Sequence, residues 1–512
     1  MKKKVKIIGA GISGLATGCY LQMNGYETEI VEMHNLSGGL CTSWKRGGYN
    51  FDGCIHWLLG SNKGSAFYKL WSELIDLEEI EFVNHSKRVS IEVKDNVDKY
   101  GNKIFELYSN IDELEKYLLD LSSEDTAPIK EFVDSIRFIQ KYELPPLVEK
   151  APELRTFSEK VSLLKYLPVV LFINKWSKIT NISFAKKIKN PFLKEAFELL
   201  FEGEEHTLLI ITMQMAYFSI GCAGYPVNGS LTFAKKLEER YYKLGGKIRF
   251  NTKVDKIITE NNTAVGIQIN ENHILDADIV ISAADWNFTV FKALEGKYID
   301  TDITSLKEQK VLDVFPSILL ISIGVSSLFK DIPHLLRFPL DEVLELEDGS
   351  EVKRMEAHIY NYDRIMSPKD KTTIAVTLQT SNADFWINLR EKDYVRYKEI
   401  KDNVAQEVIK KLDNKFGNIK NNVEVIDVAT PATFMRYTGN WKGSIQGWMP
   451  TKKLFASSPV KSTLPGLKNF YLTGHWLVPG GGLPIALLTG RNIAQIICKN
   501  DNKIFVSEEK TV

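Results

Sequence analysis

Apolar and polar positions along the 512-residue chain switch repeatedly between a period of two and a helical period, and the switches outline an α/β protein. Val5, Ile7 and Ile8 form a short β-branched run that predicts a buried parallel strand. Leu15, Ala16, Tyr20 and Leu21 continue at helical spacing until Gly25 stops the helix, and residues 29–32 predict a second strand. Spacing is helical again over 66–77 and 111–121, and between them 88–93 and 103–108 alternate like an antiparallel pair. An amphipathic helix is expected over 231–244, then strands at 247–251, 254–258 and 264–269 with a turn at Asn261-Asn262. Residues 277–285 read as a buried strand running into small side chains, 318–325 and 372–378 as further strands, and 394–412 as a long surface helix. A last strand (467–472) and helix (485–498) close the pattern.

The first strand runs into Gly9-Ala10-Gly11-Ile12-Ser13-Gly14. In such a turn the first glycine makes the tight bend, the second lets backbone approach a pyrophosphate, and the third lets helix and strand pack closely. Glu32 follows eighteen positions beyond Gly14, where a carboxylate accepts hydrogen bonds from an adenosine ribose. Strand, glycines, helix, strand and acid in register predict a dinucleotide site. The basic start, Lys2-Lys3-Lys4, superficially resembles a secretory signal, but the glycines interrupt any apolar core of one.

Ser37-Gly38-Gly39-Leu40 adds a second pair of small residues past the acid. This spacing resembles the extended FAD fingerprint of the glutathione-reductase-like flavoproteins. No CxxC pair occurs, so a dithiol reductase is excluded and Cys41 is expected to be a packing residue. No second GxGxxG follows a strand, so a built-in NADPH site is not expected; an external NAD(P)H reductant stays open. The predicted architecture is a Rossmann-type FAD-binding domain assembled from 1–87, 222–298 and 428–500. An α+β substrate domain (88–221 and 299–427) is inserted, with a helical lid at 155–220 and a loose tail at 501–512.

Composition narrows the partners. Lysine plus arginine and aspartate plus glutamate are equal, 65 each, which argues against nucleic acid. Five scattered cysteines suggest a reducing compartment, and no apolar run reaches the length of a membrane span, so the expectation is cytoplasmic. Residues 161–194 interleave apolar side chains with lysines and contain no acid, the pattern of a helix lying on an anionic membrane, here the inner face. A helical lid with a solvated lysine rim is the plainer alternative. Glu202, Glu204, Glu205 and His206 lie together without metal-site spacing, so a turn and no metal is expected.

Candidate site residues come from several loops. His56 and Trp57 end the glycine-rich stretch 47–58, expected to lie along the flavin, and Tyr225 sits in the loop 221–229. Backbone at Val254 is placed to meet the adenine, and the small Ala283 lets a strand end lie against a cofactor. Trp441 and Trp448 flank a glycine-punctuated loop and are candidate walls of the active site. Gly474-His475 leaves the last strand, and Gly481-Gly482-Leu483-Pro484 opens the last helix, whose N–H groups and positive dipole end suit the flavin pyrimidine edge. His56, His475 and Tyr225 are the candidate proton carriers.

Gly9–Gly14, Glu32, Gly38-Gly39, Phe51-Asp52, Ser282–Asp285 and the stretch from Gly474 to Arg491 together resemble the family of phytoene desaturases, carotenoid cis-trans isomerases and retinol saturases. The resemblance implies a two-domain FAD enzyme acting on carbon–carbon bonds of a long apolar polyene, with peripheral membrane attachment. It implies hydride transfer between flavin N5 and an allylic carbon, by desaturation, saturation or redox-neutral isomerisation. One departure is local: the family commonly carries Gly-Asp or Gly-Glu after the terminal strand, and Gly474-His475 stands here. An amine-oxidase- or protoporphyrinogen-oxidase-like enzyme shares the fingerprint, and a flavin-free prenyl-lipid escort shares the fold. A fatty acyl chain is an alternative guest for an apolar tunnel.

Overall fold

The computed structural model describes residues 2–142, 149–201, 205–270, 272–449 and 460–508. At its base lies a parallel five-stranded sheet in the order 247–249, 27–31, 4–8, 279–282, 470–472. Its strands come from three stretches far apart in sequence, so the first and last parts of the chain share one sheet. Val5, Ile7, Ile30, Val280 and Ile281 are buried on both faces, as a sheet covered by helices requires.

Helix Ile12–Met23 follows the first strand, and the terminal helix Leu483–Asn500 packs across it. Their crossing is close because both surfaces are small there: a Cβ on Gly490 would lie 2.7 Å from Thr17 Oγ1 and 2.9 Å from the Ser13 carbonyl oxygen. Arg491 then locks three elements, pairing with both oxygens of Glu73 at 2.7 and 2.8 Å, while the Tyr20 hydroxyl donates to the same carboxylate at 2.6 Å.

Above this base stands a seven-stranded mixed sheet, ordered 423–429, 317–325, 372–380, 351–359, 335–345, 87–92, 104–108. One face, with Leu319, Ile321, Phe338, Ala357 and Val376, packs on the long helix Tyr394–Phe416. The opposite face carries Ile318, Leu320 and Ala375 and turns toward the first domain. Helices between residues 111 and 219 close the far edge around Leu114, Phe132, Phe184, Phe197 and Met215.

Most expected elements are present. Helix Ile111–Leu121 and strands Ser317–Val325 and Thr372–Thr380 fall where periodicity puts them. Asn261 and Asn262 both have positive φ, 47° and 58°, as a tight hairpin turn demands. The helix expected over 66–77 stops at Ser72, and a short turn of 3-10 helix, Leu77–Glu79, follows. The stretch 161–194 is not one helix: it breaks into Phe157–Ser162, Leu167–Trp176, Asn181–Ala185 and Pro191–Glu198, with Pro168 and Pro191 opening two of them. The hairpin Leu335–Glu345/Glu351–Ile359 has no counterpart in the sequence reading. Of the acidic cluster, Glu202 and Glu204 lie outside the described residues, as do the last four residues of the tail.

Candidate active site

A cavity of ≈ 660 Å³ runs from the first strand's glycine turn to the inner face of the seven-stranded sheet. Gly9, Gly11, Ile12, Ser13, Glu32, Gly38, Gly39, Leu40, Val254, Ala283, Gly474, His475, Gly482 and Leu483 all line it. The sequence reading therefore brings one site together from segments nearly five hundred residues apart.

The glycines of the turn do different work. Gly9 has φ +97° and needs its glycine for conformation. A Cβ on Gly14 would sit 2.0 Å from the Gly9 carbonyl oxygen, so Gly14 serves helix–strand packing and does not face the cavity. At Gly11 φ is −68°, and the nearest atom to an added Cβ is 4.0 Å away. Nothing in the protein demands a glycine there; a group held in the cavity would. At the other wall Gly482 also has open space around its missing Cβ, although its φ of +93° already calls for glycine. This cradle fits a pyrophosphate between the first helix and the loop that opens the last one.

Glu32 is 8% exposed, and burial raises its carboxyl above the usual range. It accepts from the Ala10 N–H at 2.7 Å and from the His34 N–H at 2.8 Å, which fixes it at the end of the second strand. Thr473 Oγ1 hydrogen-bonds Ser13 Oγ at 2.7 Å, and Gly474 N–H donates to Thr489 Oγ1 at 3.0 Å, so the first and last helices are both tied to the turn that leaves the last strand. A second cavity of ≈ 340 Å³ adjoins the first at Glu32, Gly39, Leu40 and Arg436.

His475 lies beside the glycine loop, and its Nε2 is buried with no hydrogen-bond partner. Burial alone pushes its imidazole down to about 4, so it is neutral at physiological pH. His56 faces the cavity and stacks on His358, ring centroids 4.1 Å apart. Burial first, then the neighbouring His358, pushes it down to about 3. Asp285, at the end of a sheet strand, accepts from the Trp441 N–H at 2.8 Å and is pushed up to about 6 by burial.

Other candidates go elsewhere. Tyr225 is fully buried, does not line the cavity, and its hydroxyl donates to Asp363 at 3.1 Å. Burial raises its phenol far above the usual range, so it is a packing residue, not a proton carrier. Trp448 is fully buried; its indole N–H donates to the Trp476 carbonyl at 3.0 Å and its ring packs on Trp286. It supports the wall from behind. Trp57 packs on Phe218 at 5.6 Å and is not among the cavity residues, whereas Trp441 is. Gly481 does not line the cavity; a Cβ there would meet the Gln446 carbonyl oxygen at 2.7 Å. Pro484 opens the last helix without facing the cavity. The sequence reading missed Thr252, Asn287, Phe288, Glu356 and Thr377, which line the cavity without any motif.

Residues 7–74 match the family model of an NAD(P)-binding Rossmann-like domain. The chain is 24% identical to a chloroplastic prolycopene isomerase from Daucus carota, over 94% of this chain and 78% of that protein. It is 24% identical to a 1-hydroxycarotenoid 3,4-desaturase from Flavobacterium sp., over 97% of this chain and 99% of the relative. An all-trans-retinol 13,14-reductase from Danio rerio is 22% identical over 92% of this chain and 82% of its own length. A solved putrescine oxidase superposes with a TM-score of 0.58 at 13% identity, covering 98% of this chain and 99% of that one, which is a likeness of fold. Over most of its length the chain is thus similar to carotenoid isomerases and desaturases and to a retinol reductase, at 22–24% identity, with a Rossmann-like dinucleotide-binding segment at its start.

Proposed function

We propose that the protein binds FAD in the large cavity and acts on carbon–carbon bonds of a long apolar polyene, a carotenoid or retinoid, taken from a membrane surface. The observation that carries this reading is the single cavity that joins an intact pyrophosphate turn to the inner face of the second sheet. Relatives that span nearly the whole chain carry carotenoid and retinol activities in their names. An amine-oxidase-like reading has fold similarity alone behind it.

Bound FAD supplies two-electron exchange with an allylic carbon. The chain's residues do the rest. Gly9, Gly11, Ser13 and Gly38-Gly39 cradle the pyrophosphate with backbone, and Glu32 takes the ribose. Val254 and Ala283 let backbone lie along the cofactor, and the N–H groups of the helix starting at Leu483 face the flavin with their positive dipole end. Trp441 and Leu483 exclude water. Neutral His475 offers its free nitrogen to the cofactor, and His56, which resists protonation in this surrounding, stands on the cavity wall as a neutral hydrogen-bonding ring. An external NAD(P)H is the reductant where the reaction consumes electrons.

Membrane attachment falls to the helices from Phe157 to Trp176. Phe157, Leu164, Val170 and Leu171 are 83%, 66%, 57% and 60% exposed, and Lys160 and Lys165 lie among them. Such a surface suits the headgroup boundary of an anionic bilayer. Among the described residues no helix is long and apolar enough to cross a membrane. The test is chromatographic: protein on anionic vesicles, with FAD and reductant, is given phytoene, a poly-cis lycopene or retinol. A change in the number or geometry of double bonds in any of them is expected. Turnover of amines with peroxide release, and of none of the polyenes, would refute the reading.

A further inference from the structure

The inner face of the seven-stranded sheet is polar where a hydrocarbon guest would want it apolar. Register places Arg337, Glu356 and Thr377 in one cross-strand row, and Leu335, His358 and Ala375 in the next. Glu356 accepts from Arg337 Nε at 2.5 Å and from His358 Nε2 at 3.0 Å, so this acid is held. Glu356 and His56 both line the cavity.

Beside this row comes Arg88. Its strand pairs Lys87 with Tyr108 and Val89 with Leu107, which leaves Arg88 as the extra residue of a β-bulge. Bulges re-aim a side chain out of the regular alternation. The guanidinium lies over the Phe218 ring, 5.4 Å from its centroid, and feels Arg337 and Glu356. Its Nε is buried without a hydrogen-bond partner, and no acid among the described residues forms an ion pair with it. His85 stacks on His334 at 3.5 Å, and His85 Nε2 is likewise buried and unpartnered. Burial first and positive neighbours second push His85 down to about 4, so these rings are neutral. Arg88 thus brings a guanidinium that no acid among the described residues pairs to the edge of this row, and its charge also reaches His56 on the cavity wall; a buried cation without an anion is costly.

We propose that Arg88, with His85 beside it, binds the carboxylate head of a substrate, so that a long unsaturated chain ending in an acid is held more tightly than the matching hydrocarbon or alcohol. This deepens the polyene reading and rests on it. A carboxylate pairs with the Arg88 guanidinium and accepts from the donors left free at Arg88 and His85.

The experiment uses the FAD-loaded protein and two matched pairs, all-trans-retinoate with all-trans-retinol and oleate with oleyl alcohol. Binding is read from perturbation of the flavin spectrum and of tryptophan fluorescence. The wild type is expected to prefer each acid by about tenfold or more, Arg88→Gln to lose that preference, and Arg88→Lys to keep part of it. Flavin content and the melting transition establish that each variant is folded. Equal binding of acid and alcohol by the wild type, or a preference that survives Arg88→Gln, overturns the carboxylate site. If retinol and retinoate leave the flavin unperturbed while oleate keeps its preference over the alcohol, the polyene reading fails and the carboxylate site stands. If both retinoids perturb the flavin equally, the reverse holds.

Discussion

Replacing Gly14 and Gly11 separately with alanine distinguishes a glycine kept for the fold from one kept for a ligand. A Cβ at position 14 would lie 2.0 Å from the Gly9 carbonyl oxygen, 3.2 Å from the Gly9 carbonyl carbon and 3.3 Å from Ala283 Cβ. Non-bonded carbons settle near about 3.5–4.0 Å, so the first strand's carbonyl would have to retreat by more than about 1 Å. Alanine's better helix propensity returns about 1 kcal/mol, and overpacking against backbone costs about 1–3 kcal/mol or more. Because the clash is with backbone, the overpacking cost falls at the upper end of that range, and Gly14→Ala should destabilise the apoprotein by about 2 kcal/mol or more and also reduce bound flavin. At position 11 the added methyl meets nothing nearer than 4.0 Å and φ is −68°, so Gly11→Ala should leave apoprotein stability within about 0.5 kcal/mol. It should nonetheless lose most of its flavin, because the methyl occupies the pyrophosphate's approach. Urea unfolding followed by circular dichroism gives the first quantity, and the visible-to-ultraviolet absorbance ratio gives the second. Gly11→Ala purifying with a full complement of flavin would refute the assignment of the cavity. Gly14→Ala as stable as wild type would refute the packing argument.

Other perturbations test other parts. Arg491→Gln strips the cation from Glu73, which also binds Tyr20, and should cost about 3–5 kcal/mol in urea unfolding; a loss near zero would mean that solvent screens the pair. His475 is held neutral in the fold with its imidazole at about 4, against an ordinary 6.5, so the unfolded chain takes up the proton first. The stability that this group contributes is whole above pH 6.5 and is lost as pH falls through that window toward 4. Unfolding of His475→Gln should accordingly show a shallower loss between those values, and an unchanged slope would contradict a neutral His475. Changing Leu164 and Leu171 to serine should weaken sedimentation with anionic vesicles at least about tenfold with no loss of thermal stability, since both are already 66% and 60% exposed.

The cofactor end of the site is legible in the sequence because backbone conformation there leaves few choices. Gly9 at φ +97° and Gly38 at φ +114° are positions that only glycine occupies without strain, and the strand periods on either side fix their place. The last helix is legible for the same reason, through Gly482 and the proline behind it. The substrate end is not. The hairpin Leu335–Glu345/Glu351–Ile359 hides because Pro339 marks an irregular register and its inner face carries Arg337, Glu356 and His358 against the usual apolar-inward rule. Arg88 hides because a bulge breaks the alternation that makes its strand visible. Tyr225 and Trp448 misled in the opposite sense. Each sits in a glycine-punctuated stretch, as site residues do, yet Tyr225 lies in the short strand Ala223–Pro226 and not in a loop, and both side chains are fully buried with their polar atoms hydrogen-bonded inside the protein.

The central claim is that one cavity holds a flavin and presents it to an apolar polyene. The most direct measurement is an anaerobic visible spectrum of the purified protein on anionic vesicles, before and after phytoene is added, then again with chemically reduced flavin and a conjugated cis-polyene. The account predicts a flavin spectrum in the purified or reconstituted protein, and either bleaching as phytoene gains conjugation or a change in polyene absorbance once the flavin is reduced. A colourless protein that cannot be reconstituted with FAD, or a flavin whose oxidised and reduced forms both leave every polyene unchanged, would contradict it.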